Sequence, residues 1–161
     1  MSVEKKKVEG WDEPSAKERL ALLNRTETIA MVGVSAKKSR PSNFVATYLL
    51  SSSANFEIFF VNPVEDEILG KPCYKSLSDL PVVPDMVDVF RKSEDLPEVA
   101  SEAVEIGASS LWIQLGLWSG EAAEIALAGE LELVMDRCIN CLLYTSPSPR
   151  DRTRSRMPSS A

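Results

Sequence analysis

The 161-residue chain is long enough for one domain, and a hydrophobic fraction of 44% can support a core. No apolar run approaches the ~18 residues of a membrane span, and the opening Met1-Ser2-Val3-Glu4-Lys5-Lys6-Lys7 lacks the apolar stretch of a signal peptide. A net charge of −6 disfavours a nucleic-acid partner, the absence of histidine excludes histidine bases, phosphohistidine and histidine metal ligands, and three cysteines without an export signal point to a reducing cytoplasm.

Residues 1–14 are charged, carry no periodicity and are expected to be mobile. Ser15-Ala16-Lys17-Glu18 has capping-box spacing. It predicts a short helix to about Asn24 that covers one end of the core with Leu20 and Leu23. Thr28 to Val34 is near-continuously apolar, which predicts a strand buried on both faces. The strand stops at Gly33, and a polar, basic loop follows through Lys37, Lys38 and Arg40. Ser42 is the expected N-cap of a helix from 43 to about 52, with Phe44, Val45, Tyr48 and Leu49 turned to the sheet.

Glu57 to Val61 is the second predicted strand, ended by Asn62-Pro63. Residues 64–84 form a crossover. In it Gly70-Lys71-Pro72 reads as a turn, Cys73-Tyr74 as a short edge strand, and Ser76 to Leu80 as one helical turn. Asp85 to Phe90 is the next strand. Ser93 is the expected cap of a helix with Leu96, Val99, Ala103 and Ile106 on one face, Pro97 in its first turn and Gly107 at its end. Ser110 to Leu115 is another strand, Ser119 caps a helix that Gly129 ends, and Leu131 to Met135 is the last strand. Strands and helices thus alternate. The pattern predicts a doubly wound α/β domain over 15–140, with a mostly parallel sheet of five to six strands and helices on both faces.

From about Cys141 the composition turns to Ser, Pro and Arg. The stretch 141–161 resembles a translated adapter or cloning sequence and is expected to be a disordered tail foreign to the natural protein. Taking the four arginines and one aspartate of 142–161 away from 18 basic and 24 acidic residues leaves 14 against 23, a net −9.

In a parallel sheet all strand ends share one edge. That edge gathers Gly33 to Pro41, Asn62-Pro63, Phe90-Arg91-Lys92, Gln114 to Leu117 and Asp136-Arg137-Cys138. Cations recur there in an acidic domain: Lys37, Lys38, Arg40, Arg91, Lys92 and Arg137. With a helix N-terminus near Ser42, this predicts a site for a polyanionic ligand, with phosphate at the first strand. Asp88 lies mid-strand and is expected to make a structural hydrogen bond. Trp112 and Trp118 read as core or rim packing. Cys138, beside Arg137, could form a mixed disulfide with a thiol ligand, although an inert cysteine is the better reading. Cys138 and Cys141 alone do not make a zinc site.

The dinucleotide fingerprint G-x-G-x-x-G wants three glycines, and only Gly33 is present; the second strand ends in Asn62 where an acid would hold a ribose. NAD is disfavoured, NADP stays open, and a P-loop is absent.

The set Val32-Gly33-Val34-Ser35, Arg40-Pro41-Ser42, Val61-Asn62-Pro63, Val87-Asp88-Val89-Phe90-Arg91, Trp112-Ile113-Gln114-Leu115-Gly116 and Met135-Asp136-Arg137-Cys138 resembles the small stand-alone CoA-binding proteins. These are similar to the nucleotide domain of the succinyl-CoA synthetase α-subunit. The resemblance runs from about Arg19 to Cys138 and departs from the family at Ile139. It implies a Rossmann-like fold that holds coenzyme A. Carried across by position, Gly33, Val34, Ser35, Lys38, Arg40 and Pro41 would hold the phosphates. Asn62 and Pro63 would lie beside the nucleotide, and Phe90 and Arg91 would flank the pantetheine arm. Gln114, Gly116, Asp136 and Arg137 would stand nearby. The resemblance does not supply catalysis, because the synthetase chemistry needs a phosphorylated histidine in a second domain. The leading expectation is a non-catalytic module that carries, senses or presents CoA or acyl-CoA, with a protein partner or self-association as its readout. A regulatory domain for an NADP-type nucleotide and an enzyme using bound CoA are the alternatives.

Overall fold

The computed structural model describes residues 7–51 and 56–140. The elements, in order, are α1 (Ala16–Arg25), β1 (Thr28–Val32), α2 (Pro41–Ser51), β2 (Glu57–Val61), β3 (Glu67–Ile68), β4 (Lys71–Tyr74), β5 (Met86–Val89), α3 (Leu96–Ile106), β6 (Ser110–Ile113), α4 (Gly120–Ala128) and β7 (Glu132–Val134). Single 3₁₀ turns at Leu77–Asp79 and Ser93–Asp95 join them.

The strands form one sheet in the order β3-β4-β2-β1-β5-β6-β7, parallel throughout except for the β3–β4 pair. This is a Rossmann-like α/β fold. Seven strands replace the expected five to six, because residues 67–74 form a hairpin. Its turn is Leu69-Gly70, both at positive φ (52° and 79°), the handedness that suits a two-residue hairpin. Pro72 sits inside β4, opposite Glu67, and not in the turn.

Alternation along the strands sends side chains to two cores. Ala30, Val32, Val87, Val89, Leu111 and Ile113 face α3 and α4. Ile29, Met31, Ile58, Phe60 and Trp112 face α1 and α2. Trp112 is fully buried and donates its indole N–H to the Arg137 carbonyl at 2.8 Å. Truncating it to alanine would cost about 3–5 kcal/mol.

Local chemistry sets the helix starts. Ser15 and Glu18 form the complete capping box, and the Ser119 hydroxyl accepts from the Ala122 N–H. Two expected caps are displaced. Helix α2 begins at Pro41, so Arg40 stands at the cap position and its carbonyl accepts from the Phe44 N–H, while Ser42 lies inside the helix. Ser93 opens a 3₁₀ turn, and α3 starts only at Leu96. In α1 the fully seated residues are Leu22 and Leu23, with Leu20 only partly covered. In α2 Val45 and Leu49 are buried, whereas Phe44 is 68% exposed and does not face the sheet.

Residues 7–14, part of the stretch expected to be mobile, rest on the sheet. Val8 is buried, and the Trp11 indole donates to the Leu133 carbonyl at 3.1 Å and meets Trp118 edge-on at 5.7 Å. Residues 141–161, with Cys141, lie outside the described residues. Among the described residues no helix is long and apolar enough to cross a membrane.

Candidate functional site

Strand β1 has β2 on one side and β5 on the other, so the chain order reverses there. A doubly wound sheet opens its ligand crevice at such a point, beyond the carboxyl ends of the strands. Two cavities lie there. One, of about 400 Å³, is lined by Gly33, Ser35, Lys37, Arg40, Pro41 and Ser42 on one wall and by Phe90, Gln114, Leu115 and Leu117 on the other. The second, of about 250 Å³, lies on the α3 side. Val32, Val61, Pro63 and Arg91 contribute to it, with Lys75, Ser76 and the acids Asp95, Glu98 and Glu102.

Gly33 marks the end of β1 beside both cavities. Its φ is 90°, and a Cβ there would lie 2.9 Å from the Phe90 carbonyl oxygen and 2.9 Å from Arg91 Cδ. Any side chain would therefore push β1 away from the end of β5. The glycine lets the two strand ends touch, and the backbone itself becomes the floor of the crevice.

The loop after Gly33 is braced from within. The Ser42 hydroxyl accepts from the Ser35 N–H at 3.0 Å, and the Asn43 amide donates to the Ser35 carbonyl at 2.8 Å. The Ser35 hydroxyl accepts from the Lys37 N–H, and the Lys37 carbonyl from the Arg40 N–H. Asn62 donates to the Val34 carbonyl at 3.0 Å and accepts from the N–H groups of Val64 and Glu65. Three of the loop's amides, those of Ser35, Lys37 and Arg40, are thus engaged internally, and Pro41 at the first turn of α2 has none. Positive charge reaches the crevice mainly from the side chains of Lys37 and Arg40. Neither has a carboxylate partner among the described residues.

The other edge cations are differently placed. Arg91 lies in the second cavity and pairs with Asp95 at 3.1 Å, each about one third exposed. Arg137 pairs with Glu13 of the N-terminal segment and lines neither cavity. Asp136 takes a left-handed φ of 57°, and its carboxylate accepts from the Gly116 N–H at 2.6 Å, which fixes the loop after β6.

Of the residues expected to hold a ligand, Gly33, Ser35, Arg40, Pro41, Phe90 and Gln114 come together in the larger cavity, and Pro63 and Arg91 in the smaller. Val34 is fully buried, Lys38 is exposed and lines neither cavity, and Asn62, Gly116 and Asp136 shape loops while Arg137 pairs with Glu13, none of them lining either cavity. Lys37 takes the place given to Lys38. Leu115 and Leu117 lie in the Gln114 to Leu117 stretch expected at this edge, whereas Lys75 and the acids of α3 and its cap are lining residues that the motifs did not mark. Their helical spacing over Asp95, Glu98 and Glu102 was the available signal. Burial beside Glu98 holds the Glu102 carboxyl above its usual range. Cys138 is partly buried against the α2 side core and lines neither cavity.

Asp88 does not make the expected hydrogen bond. It is fully buried, neither carboxylate oxygen has a partner, and burial pushes its pKa well above the ordinary carboxylate range. Alternation turns it to the face of Trp112 and Met31, both its neighbours in register.

Comparison with known proteins places the fold among relatives. A family model described as CoA binding domain matches residues 27–143. An uncharacterized protein of Bacillus subtilis, YneT, is 39% identical over 126 residues, covering 78% of this chain and 92% of the relative. The ADP-forming acetate–CoA ligase II of Archaeoglobus fulgidus is 30% identical over 81 residues, half of this chain but 12% of the ligase. Among solved structures, a hypothetical protein from Pyrococcus horikoshii OT3 superposes with a TM-score of 0.79 at 31% identity, over 89% of this chain and 98% of that one.

Proposed function

The chain belongs to the CoA binding domain family, and on that premise we propose that it binds coenzyme A or an acyl-CoA across the end of β1, as a module without turnover of its own. The observation that carries this reading is the larger cavity. In an acidic chain, Lys37 and Arg40 meet there over the bare backbone of Gly33. Two unpaired cations suit a pyrophosphate, and an arginine can grip it through two parallel bonds. Away from the cations, Phe90 and Leu117 supply an apolar wall for the pantetheine arm. On the other side of β1, Pro63 and Arg91 offer a rim for the nucleoside end, and the carboxylates of α3 are acceptors for its hydroxyl and amino groups.

Neither lining contains a cysteine, and the chain contains no histidine. A carrier, sensor or regulatory role fits this set of side chains better than group transfer.

Calorimetric titration of the protein with CoA and, in parallel, NADP tests the proposal. CoA is expected to bind at micromolar affinity or better and to displace NADP. Arg40→Ala should weaken CoA by about tenfold or more, as loss of a charge-assisted contact implies. Failure of CoA to bind, or tighter binding of NADP, would overturn the reading.

A further inference from the structure

The larger cavity has two unlike ends. Ser35, Lys37 and Arg40, from the loop after β1, make one of them polar and cationic; Leu115 and Leu117, after β6 and two strands away, make the other apolar beside Gln114, with Phe90 between the two. Leu115 stands out, because 64% of it is exposed. A lone exposed leucine is ordinary on a protein surface. This one lines a ligand cavity, and the backbone beneath it is fixed on every side.

The fixing is specific. The Gly116 N–H donates to the Asp136 carboxylate at 2.6 Å, and the Leu117 N–H donates to the Gln114 carbonyl at 3.1 Å. Gly116 takes φ 87°, and Asp136 holds an uncommon left-handed φ of 57° to reach it. Gln114, immediately before, is only 5% exposed, and its side-chain oxygen accepts from the Ile139 N–H at 3.4 Å. With its neighbours on both sides tied down, Leu115 cannot fold back onto the core. A buried carboxylate and a strained residue are committed to holding an apolar side chain in water at the cavity mouth.

From this we infer that the Leu115 end receives the apolar acyl chain of an acyl-CoA thioester, so that the protein prefers acylated to free CoA. The inference rests on the proposed reading of the cavity as the CoA site. An anionic group held by Lys37 and Arg40 sets the direction of the rest of the ligand, because the walls beyond the β1 loop are those of Phe90, Gln114, Leu115 and Leu117. An apolar chain reaching Leu115 removes apolar area from water on both partners, whereas a free thiol leaves the leucine exposed.

The test is calorimetric titration of the full chain with CoA, acetyl-CoA and hexanoyl-CoA, repeated on Leu115→Ser. Hexanoyl-CoA is expected to bind about tenfold tighter than CoA, with acetyl-CoA in between. Leu115→Ser should remove most of that difference, by weakening hexanoyl-CoA much more than CoA. A thermal melt of the variant should match the parent, since the side chain is exposed. Equal affinities for CoA and hexanoyl-CoA would overturn this inference alone. So would a Leu115→Ser variant that weakens both ligands alike, because the leucine would then touch only the part they share. Absence of any CoA binding would overturn this inference together with the reading beneath it.

Discussion

The ends of β1 and β7 look alike in sequence and behave oppositely in the fold. Each strand runs into a charged, arginine-containing stretch: Lys37 to Arg40 after β1, Asp136-Arg137 after β7. After β1, Lys37 and Arg40 stay without carboxylate partners among the described residues and line a cavity. After β7 both charges are consumed inside the molecule, Asp136 by the Gly116 N–H and Arg137 by Glu13. Arg91, after β5, is intermediate: it lines a cavity and is also paired, with Asp95. A cation at the edge of a parallel sheet is available to a ligand only where no other segment brings it a carboxylate. In this chain the segment before α1, through Glu13, decides the fate of the β7 end.

The comparison breaks most severely at Gly33. Gly33→Ala places a Cβ against the Phe90 carbonyl in a left-handed conformation. It should cost about 2–4 kcal/mol of stability in a urea titration, and CoA affinity should fall by about tenfold or more. A variant as stable as the parent would mean that the close approach of β1 and β5 does not matter.

Asp88 extends the comparison into the sheet, where a carboxyl has no hydrogen-bond partner among the described residues. Its pKa is raised in the fold, so the folded state holds a proton that the unfolded chain releases near pH 4. Stability from this group is therefore greatest at acid pH and declines as pH rises from about 4 toward the raised value. Asp88→Asn should flatten that decline and raise stability at pH 8 by about 1 kcal/mol. Melting the two proteins side by side at pH 5 and pH 8 checks it. A variant less stable than the parent at pH 8 would point to an ionised, satisfied Asp88.

The smallest effect is the one that sharpens the contrast. Arg137→Ala loses a pair whose members are each about one third exposed, worth about 0.5 kcal/mol, and should leave CoA affinity within about twofold. Denaturant unfolding and calorimetry on the same sample measure both. An affinity loss as large as that of Arg40→Ala would erase the distinction between the two strand ends.

Much of the fold was legible because periodicity is a local signal. The apolar run over β1, the 3, 4, 3 spacing of Leu96, Val99, Ala103 and Ile106, and the caps at Ser15 and Ser119 all appear where the pattern places them. The β3 strand was not legible, since two residues carry no period, and Leu69 at positive φ runs against its own preference. Phe44 was misplaced because helical spacing gives a face and not the width of the sheet it covers. At the site, Gly33, Arg40 and Phe90 were legible from type and position. Arg137 and Asn62 were not, because their partners, Glu13 and the Val34 carbonyl, lie far away in sequence. Leu115 stood within the Gln114 to Leu117 stretch placed at the ligand edge, but its exposure was not legible: an apolar residue at the end of an apolar strand looks like core until the turn that exposes it is seen.

The claim at the centre is that the ligand sits at the end of β1 and not at the end of β7. Titration of the ¹⁵N-labelled protein with CoA, followed by amide NMR, tests it most directly. The account predicts the largest shifts at Gly33, Ser35, Lys37, Arg40 and Ser42, with a second set from Gln114 to Leu117, and little change at Glu13, Arg137 or the opposite sheet edge near Ser109. Shifts concentrated on Glu13 and Arg137, with Gly33 and Arg40 unmoved, would contradict it.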